Sequence, residues 1–302
     1  MGPPRSSIRQ LVAVLATLRS SSALTSVATD VASLVARART LRSSWRVSPP
    51  SCETGEDFRF PSSFGSPESR DFSNWLLRGR LLIGQYPHLQ PAAPGPTREE
   101  CVDHLRKVVV DADVGAFVCL QAEVPPQDDS AAWPESDGVK LPDQRDRDRW
   151  PNDFVRYAGV VDALRRDVAY YHCPIVDLDV PGDDDLLDVL EKILGHYERD
   201  ADDAIYVHCW GGRGRAGTVG ACLLSLLFPE LEASAVLDLV QAAYSSRAGA
   251  STMPGQLKRS PQTEAQRRIV HDFVDRVRAA TPSVTPERKW PKWMDDFPTG
   301  AF

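Results

Sequence analysis

The sequence predicts an α/β domain with a mainly parallel central sheet flanked by helices. Short apolar runs rich in β-branched and aromatic residues alternate with longer runs of helical spacing, the pattern of strands joined by crossover helices. One run, Ile205-Tyr206-Val207, passes directly into a glycine-rich loop and then into an apolar stretch, Thr218 to Phe228, which Pro229 stops. Strand, glycine loop and helix in that order is how open α/β sheets hold ligands at the carboxyl ends of their strands. With 302 residues, 42% of them apolar, the chain has room for one large domain or two small ones.

Taken in order, residues 1–50 are rich in Ser, Ala, Leu and Arg. They read as an N-terminal extension with the composition of an organelle-targeting peptide; a plain extension and a secretory leader are the alternatives. Residues 51–70 carry Ser, Pro and Gly and read as a linker. The folded domain is expected over 71–285. Asn74 to Pro87 reads as a turn leading into a first strand. Residues 97–111 fit a helix with Thr97 and two glutamates at its start. Gly115 to Gln121 reads as a buried strand, and 124–152, rich in Pro, Asp and Arg, as a long surface insertion. A helix over 153–166 and a strand over Tyr170–Ile175 follow. Residues 184–199 place six aliphatic side chains, from Leu186 to Leu194, at helical spacing. Helices over 231–244 and 260–280 complete the domain. The tail, 286–302, has three aromatics between Lys289 and Phe297 and is expected to lie across the domain surface.

Net charge is −7, which does not suggest a nucleic-acid partner, and no apolar run is long enough to span a membrane. The charge is unevenly spread. Residues 1–52 hold seven arginines and one acid, leaving the rest of the chain strongly acidic. Six cysteines occur, without a paired or zinc-like spacing, and a reducing compartment in the cytoplasm or an organelle is expected.

The chemistry concentrates in His208-Cys209-Trp210-Gly211-Gly212-Arg213-Gly214-Arg215. Three glycines let successive N–H groups turn inward as an anion nest, and the following helix start adds orphan donors and partial positive charge. Arg215 offers a two-pronged fork to phosphate oxygens. A thiol at such a helix start, beside arginines, is biased toward the nucleophilic thiolate. The stretch resembles the signature of the cysteine-based protein tyrosine phosphatase superfamily, especially its dual-specificity-like branch, through His208-Cys209, five intervening residues, Arg215 and Gly217. That resemblance implies a tyrosine-phosphatase-like fold, catalysis through a phospho-cysteine on Cys209, substrate binding by residues 210–214, and an orienting His208. It also marks a departure. The family usually has Ser or Thr after the arginine, whose hydroxyl helps the thiolate leave, and this chain has Ala216. Thr218 is two residues further on.

Two other segments extend the resemblance. Pro174-Ile175-Val176-Asp177-Leu178-Asp179-Val180-Pro181 is similar to the family's mobile general-acid loop, with Asp177 the better-placed acid and Asp179 the alternative. Gln262-Thr263-Glu264-Ala265-Gln266 is similar to a water-positioning glutamine loop, with Gln262 and Gln266 on one helix face. No metal or other cofactor is called for, because the arginine and amides occupy the place a cation would fill. The expected substrate is a phosphorylated protein. Arg213 raises a phosphoinositide or other non-protein phosphate as the alternative, and Ala216 raises a phosphate-binding relative with slow or no turnover.

Overall fold

Four parallel strands and one antiparallel edge strand form the central sheet of the computed structural model, which describes residues 30–51, 56–60, 71–92, 95–140 and 153–281. The strands are β1 (Ser73–Leu77), β2 (Leu81–Gly84), β3 (Val114–Gln121), β6 (Ala169–Ile175) and β7 (Ala204–His208); their order is β1-β2-β7-β3-β6. β1 and β2 form an antiparallel hairpin, where one strand was expected, and β2, β7, β3 and β6 run parallel. β7 is therefore central, with Val207 level with Ile83 on one side and Val118 on the other.

Alternation along the strands separates two cores. Val118, Leu120, Ile205 and Val207 face an aliphatic cluster, which takes in α4 (Asp183–Arg199), α5 (Arg215–Leu227), α6 (Ala233–Ser245) and α7 (Glu264–Ala280). Phe117, Cys119 and Tyr206 face an aromatic cluster with Tyr86, Phe154 and Tyr157, closed by α2 (Arg98–Arg106) and α3 (Ala158–Leu164). α2 starts with the capping box read from Thr97 and Glu100. α5 is buried along its whole length, as its apolar sequence requires.

Four expectations are corrected. The folded unit does not begin near Asp71, because helix α1 (Val31–Trp45) belongs to it. Val31, Leu34, Val35, Ala38 and Leu41 form a buried stripe at helical spacing against the aliphatic cluster. Arg37 grips Glu198 through two hydrogen bonds of 2.7 and 2.8 Å, and Trp45 meets Tyr197 edge-on. Three of the seven arginines that suggested a targeting composition, Arg37, Arg39 and Arg42, belong to this helix. The helix expected over 153–166 begins only at Ala158. Gln127 Oε1 accepts the Tyr157 and Ala158 N–H groups there, and the two residues Phe154–Val155 (β5) pair instead with Gly138–Val139 (β4). Gln127 and Trp133 are buried, so the first part of the 124–152 segment contributes to the aromatic core. The last helix starts at Glu264 rather than at 260, because Thr263 and Gln266 form its capping box. The first 29 residues and the tail, 286–302, lie outside the described residues.

Candidate active site

β7 delivers His208 and Cys209 to the carboxyl edge of the sheet, and the loop that follows is pinned by its carbonyls. Trp210 O accepts Tyr86 N–H at 3.1 Å, Gly212 O accepts Arg247 Nη2 at 2.9 Å, and Arg213 O accepts the Ser260 hydroxyl at 2.9 Å. Gly214 O accepts both the N–H and the hydroxyl of Thr218, each at 2.9 Å. Among the described residues, no backbone hydrogen bond takes up the N–H groups of Gly211, Gly212, Arg213 or Gly214. Donors without a backbone partner in a strand-to-helix loop are what an anion nest requires. Gly212 cannot be replaced: its φ is +65°, and a Cβ would sit 2.2 Å from the Gly84 carbonyl carbon.

Cys209, 3% exposed, lies at the floor of a cavity of about 420 Å³. Arg215, 1% exposed, lines the same cavity. Its Nη1 donates to both Glu123 oxygens at 3.0 and 2.9 Å and to Ile175 O at 2.8 Å, and its Nη2 donates to Asp177 Oδ1 at 2.8 Å. Burial works against the guanidinium charge, but Cys209, Glu123 and Asp177 outweigh it and raise the pKa above its ordinary value. Arg215 Nε carries no hydrogen bond among the described residues. Breaking one side of such a buried pair costs about 3–5 kcal/mol, so Glu123 fixes the fork in place. Sequence reading left Glu123 without a role. Its signal was position, two residues past the end of β3, the strand hydrogen-bonded beside β7.

His208 is fully buried, and its Nε2 lies 2.8 Å from the Tyr157 hydroxyl. Burial, with His172 and Arg215 nearby, pushes its pKa down to about 3, so the ring is neutral at physiological pH. Burial also raises Tyr157 well above the ordinary phenol value. Both partners are therefore uncharged, and the bond joins a phenol to a neutral imidazole. This side chain orients the strand end from the aromatic core and is not poised to exchange protons near neutrality.

The two candidate acids part company. Asp177 lines the cavity and bonds Arg215. The Asp179 carboxylate turns to its own loop and accepts Val180 N–H at 2.9 Å. The two glutamines do not share a helix face, since Gln262 precedes the Thr263 cap. Both line the cavity. Gln266 is largely spent: Oε1 accepts the N–H groups of Gln262 and Thr263, and Nε2 donates to Asp179 O at 3.1 Å. Gln262 Oε1 accepts Arg213 Nε at 3.2 Å, which draws the Arg213 guanidinium over Gly211 and along the cavity wall. Trp210 also lines the cavity, its ring against Phe154 and its N–H on Pro91 O. Ala216 is fully buried, and the Thr218 hydroxyl is committed to Gly214 O.

Residues 155–270, which span Asp177, Cys209, Arg215 and both glutamines, match the family model described as Swiss Army Knife protein, DSP-PTPase phosphatase domain. Over those residues the chain is similar to phosphatase domains of the dual-specificity-like branch of the cysteine-based tyrosine phosphatase superfamily. No curated protein matches the sequence. Among solved structures, the chain is similar to Tk-PTP in its active form, with 20% identity, 68% of this chain and 97% of that one covered, and a TM-score of 0.38. It is similar to kinase-associated phosphatase bearing serine for its catalytic-site cysteine, with 14% identity, coverage of 66% and 88%, and a TM-score of 0.43. It is also similar to the core catalytic domain of the PP-IP phosphatase SIW14 from S. cerevisiae, with 11% identity, coverage of 69% and 91%, and a TM-score of 0.40. Among the described residues, no helix is long and apolar enough to cross a membrane.

Proposed function

We propose that the protein hydrolyses phosphomonoesters through a phospho-cysteine intermediate. The observation that carries this reading is the convergence of Cys209, the fork of Arg215 and the carboxylate of Asp177 on one cavity beneath a nest of unspent N–H groups. The Cys209 thiolate attacks phosphorus in line. Its lone pair forms the S–P bond as the P–O bond to the leaving group breaks, and Asp177 gives its proton to the departing oxygen. Arg215 and the loop amides hold the equatorial oxygens where charge is greatest. Water then attacks the phospho-cysteine, with Asp177 taking its proton back and Gln262 holding the water. Thiolate returns as the leaving group and inorganic phosphate is released. Cys209 must stay reduced, which fits a reducing compartment.

The leading substrate is a phosphorylated tyrosine, serine or threonine of a protein. A non-protein phosphate is the second reading, supported by Arg213 lying along the cavity wall rather than against a surface acid. Turnover of p-nitrophenyl phosphate by the full chain tests the reaction. Replacement of Cys209 by serine is expected to remove it by about four orders of magnitude or more. Equal turnover by the Cys209→Ser protein overturns the reading.

A further inference from the structure

The reaction above needs N–H groups aimed at the phosphoryl oxygens, and a glycine-rich loop does not by itself fix where they point. The loop's peptides are all trans, so each N–H points away from the carbonyl of the residue before it. Whatever holds a carbonyl therefore aims the next N–H. Trp210 O is held by a backbone group, Tyr86 N–H, and Gly214 O by the N–H and hydroxyl of Thr218 within α5. Gly212 O and Arg213 O are held instead by side chains from further along the chain, Arg247 Nη2 and the Ser260 hydroxyl, each at 2.9 Å. The N–H groups that these two bonds orient belong to Arg213 and Gly214. Both residues line the cavity with Cys209, and neither N–H is taken up by a backbone hydrogen bond among the described residues.

Both side chains are firmly held themselves. Arg247 is 5% exposed, and its other bonds run from Nε to Asn74 Oδ1 at 2.6 Å and from Nη2 to Ile83 O at 2.7 Å. The next residue, Ala248, donates its N–H to the Asp71 carboxylate at 2.7 Å and accepts Asp71 N–H at 3.2 Å. All three Arg247 acceptors are neutral oxygens. Burying a guanidinium on neutral partners is costly, and burial pulls its pKa below the ordinary arginine value. In return a charged donor holds two carbonyls more strongly than a neutral one could. Ser260 is 1% exposed, and its N–H is bound by Gln241 Oε1 at 3.0 Å. Its hydroxyl reaches Arg213 O past Gly217, where a Cβ would lie 2.4 Å from the Ser260 oxygen. The glycine of the sequence signature leaves the room that this hydroxyl occupies.

We propose that Arg247 and Ser260 are positioning residues of the phosphate loop: by holding the carbonyls of Gly212 and Arg213, they aim the Arg213 and Gly214 N–H groups at the oxygens of the bound phosphoryl group. This rests on the phosphatase reading and assigns part of its transition-state stabilisation to two residues outside the loop.

Amide chemical shifts of the full chain test the aim residue by residue, without turnover. In the Cys209→Ser protein, inorganic phosphate is expected to move the Arg213 and Gly214 amide proton signals as each becomes a donor to an anionic oxygen. Ser260→Ala deletes one oxygen. It should cut the Gly214 response to below about half and spare that of Arg213, and Arg247→Lys should do the reverse. With Cys209 intact, Ser260→Ala should lower kcat for p-nitrophenyl phosphate about tenfold with KM little changed. It should weaken orthovanadate, a five-coordinate mimic of the transition state, by about the same factor. A purely structural role would lower the unfolding midpoint and leave kcat, vanadate affinity and the Gly214 response as in the parent. Unmoved Arg213 and Gly214 signals in the Cys209→Ser protein overturn the proposal. So does a Ser260→Ala protein in which either kcat or the Gly214 response stays within about twofold of the parent. Should Arg247→Lys fail to fold, Ser260→Ala decides alone. The expected amide pattern in a chain that turns over no phosphomonoester would sink the phosphatase reading and leave the aiming of bound phosphate standing; turnover with unmoved amides would do the opposite.

Discussion

Two loops meet at Arg215, and they are built on opposite principles. The Cys209–Gly214 loop is locked: its carbonyls are taken up by Tyr86, Arg247, Ser260 and Thr218, and Gly212 touches the β2 backbone. The acid loop after β6 is lightly held. Val176 is 63% and Leu178 52% exposed, and Leu178 sits at φ +63°, a conformation that a leucine adopts only at some cost. Its ties are Asp177 to Arg215 and the Asp179 carbonyl to Gln266. The contrast separates the two halves of the proposed reaction. Phosphate capture relies on groups already in position, while proton delivery depends on a segment with few restraints, the low-stability end from which moving loops are drawn.

Substitutions on either side should bear this out unequally. Arg215→Lys keeps the charge but loses the fork, so kcat/KM should fall about a thousandfold; a loss below tenfold would show that the locked loop does not need it. Asp177→Asn should cost about a hundredfold in kcat with an aryl phosphate, while Asp179→Asn changes little. A larger loss at Asp179 would reverse the assignment. Ala216→Thr restores a hydroxyl beside Arg215. If thiolate departure is the slow step, the parent should show a burst of p-nitrophenolate before a slower steady phase, and the variant should speed that phase about tenfold; ordinary turnover without a burst would remove this reading. Gln266→Leu unties the acid loop and half of the α7 capping box. A severalfold drop in kcat and a stability loss of about 1 kcal/mol by denaturant unfolding are expected, and a loss of stability alone would make Gln266 merely a cap.

The same contrast governs what could be read from the chain. The locked loop was legible, because strand, glycines and helix start stand side by side in sequence and their chemistry is local. The parallel sheet followed from the same alternation. Glu123 and Arg247 were not legible, because each acts on the loop from far along the chain: Glu123 from the end of β3 and Arg247 from the end of α6, 35 residues past its Gly212 partner. Nothing in the residues flanking Arg247 announces three backbone and side-chain acceptors waiting for it. Gln266 was found for one property and turned out to be used for another, since a helix cap and a water-positioning amide have the same sequence. Helix α1 was misjudged because its arginines dominate the composition, while its apolar stripe makes sense only against α4, α5 and α7.

That helix bears on how the chain could be matured. Asp30 caps it by accepting Ser33 N–H at 2.6 Å, and five of its side chains are buried. A cut near residue 50 would strip those side chains from the aliphatic core and leave a greasy trough along the helical layer. A processing protease that spares this fold must therefore cut ahead of Asp30, within the stretch richest in serine and leucine.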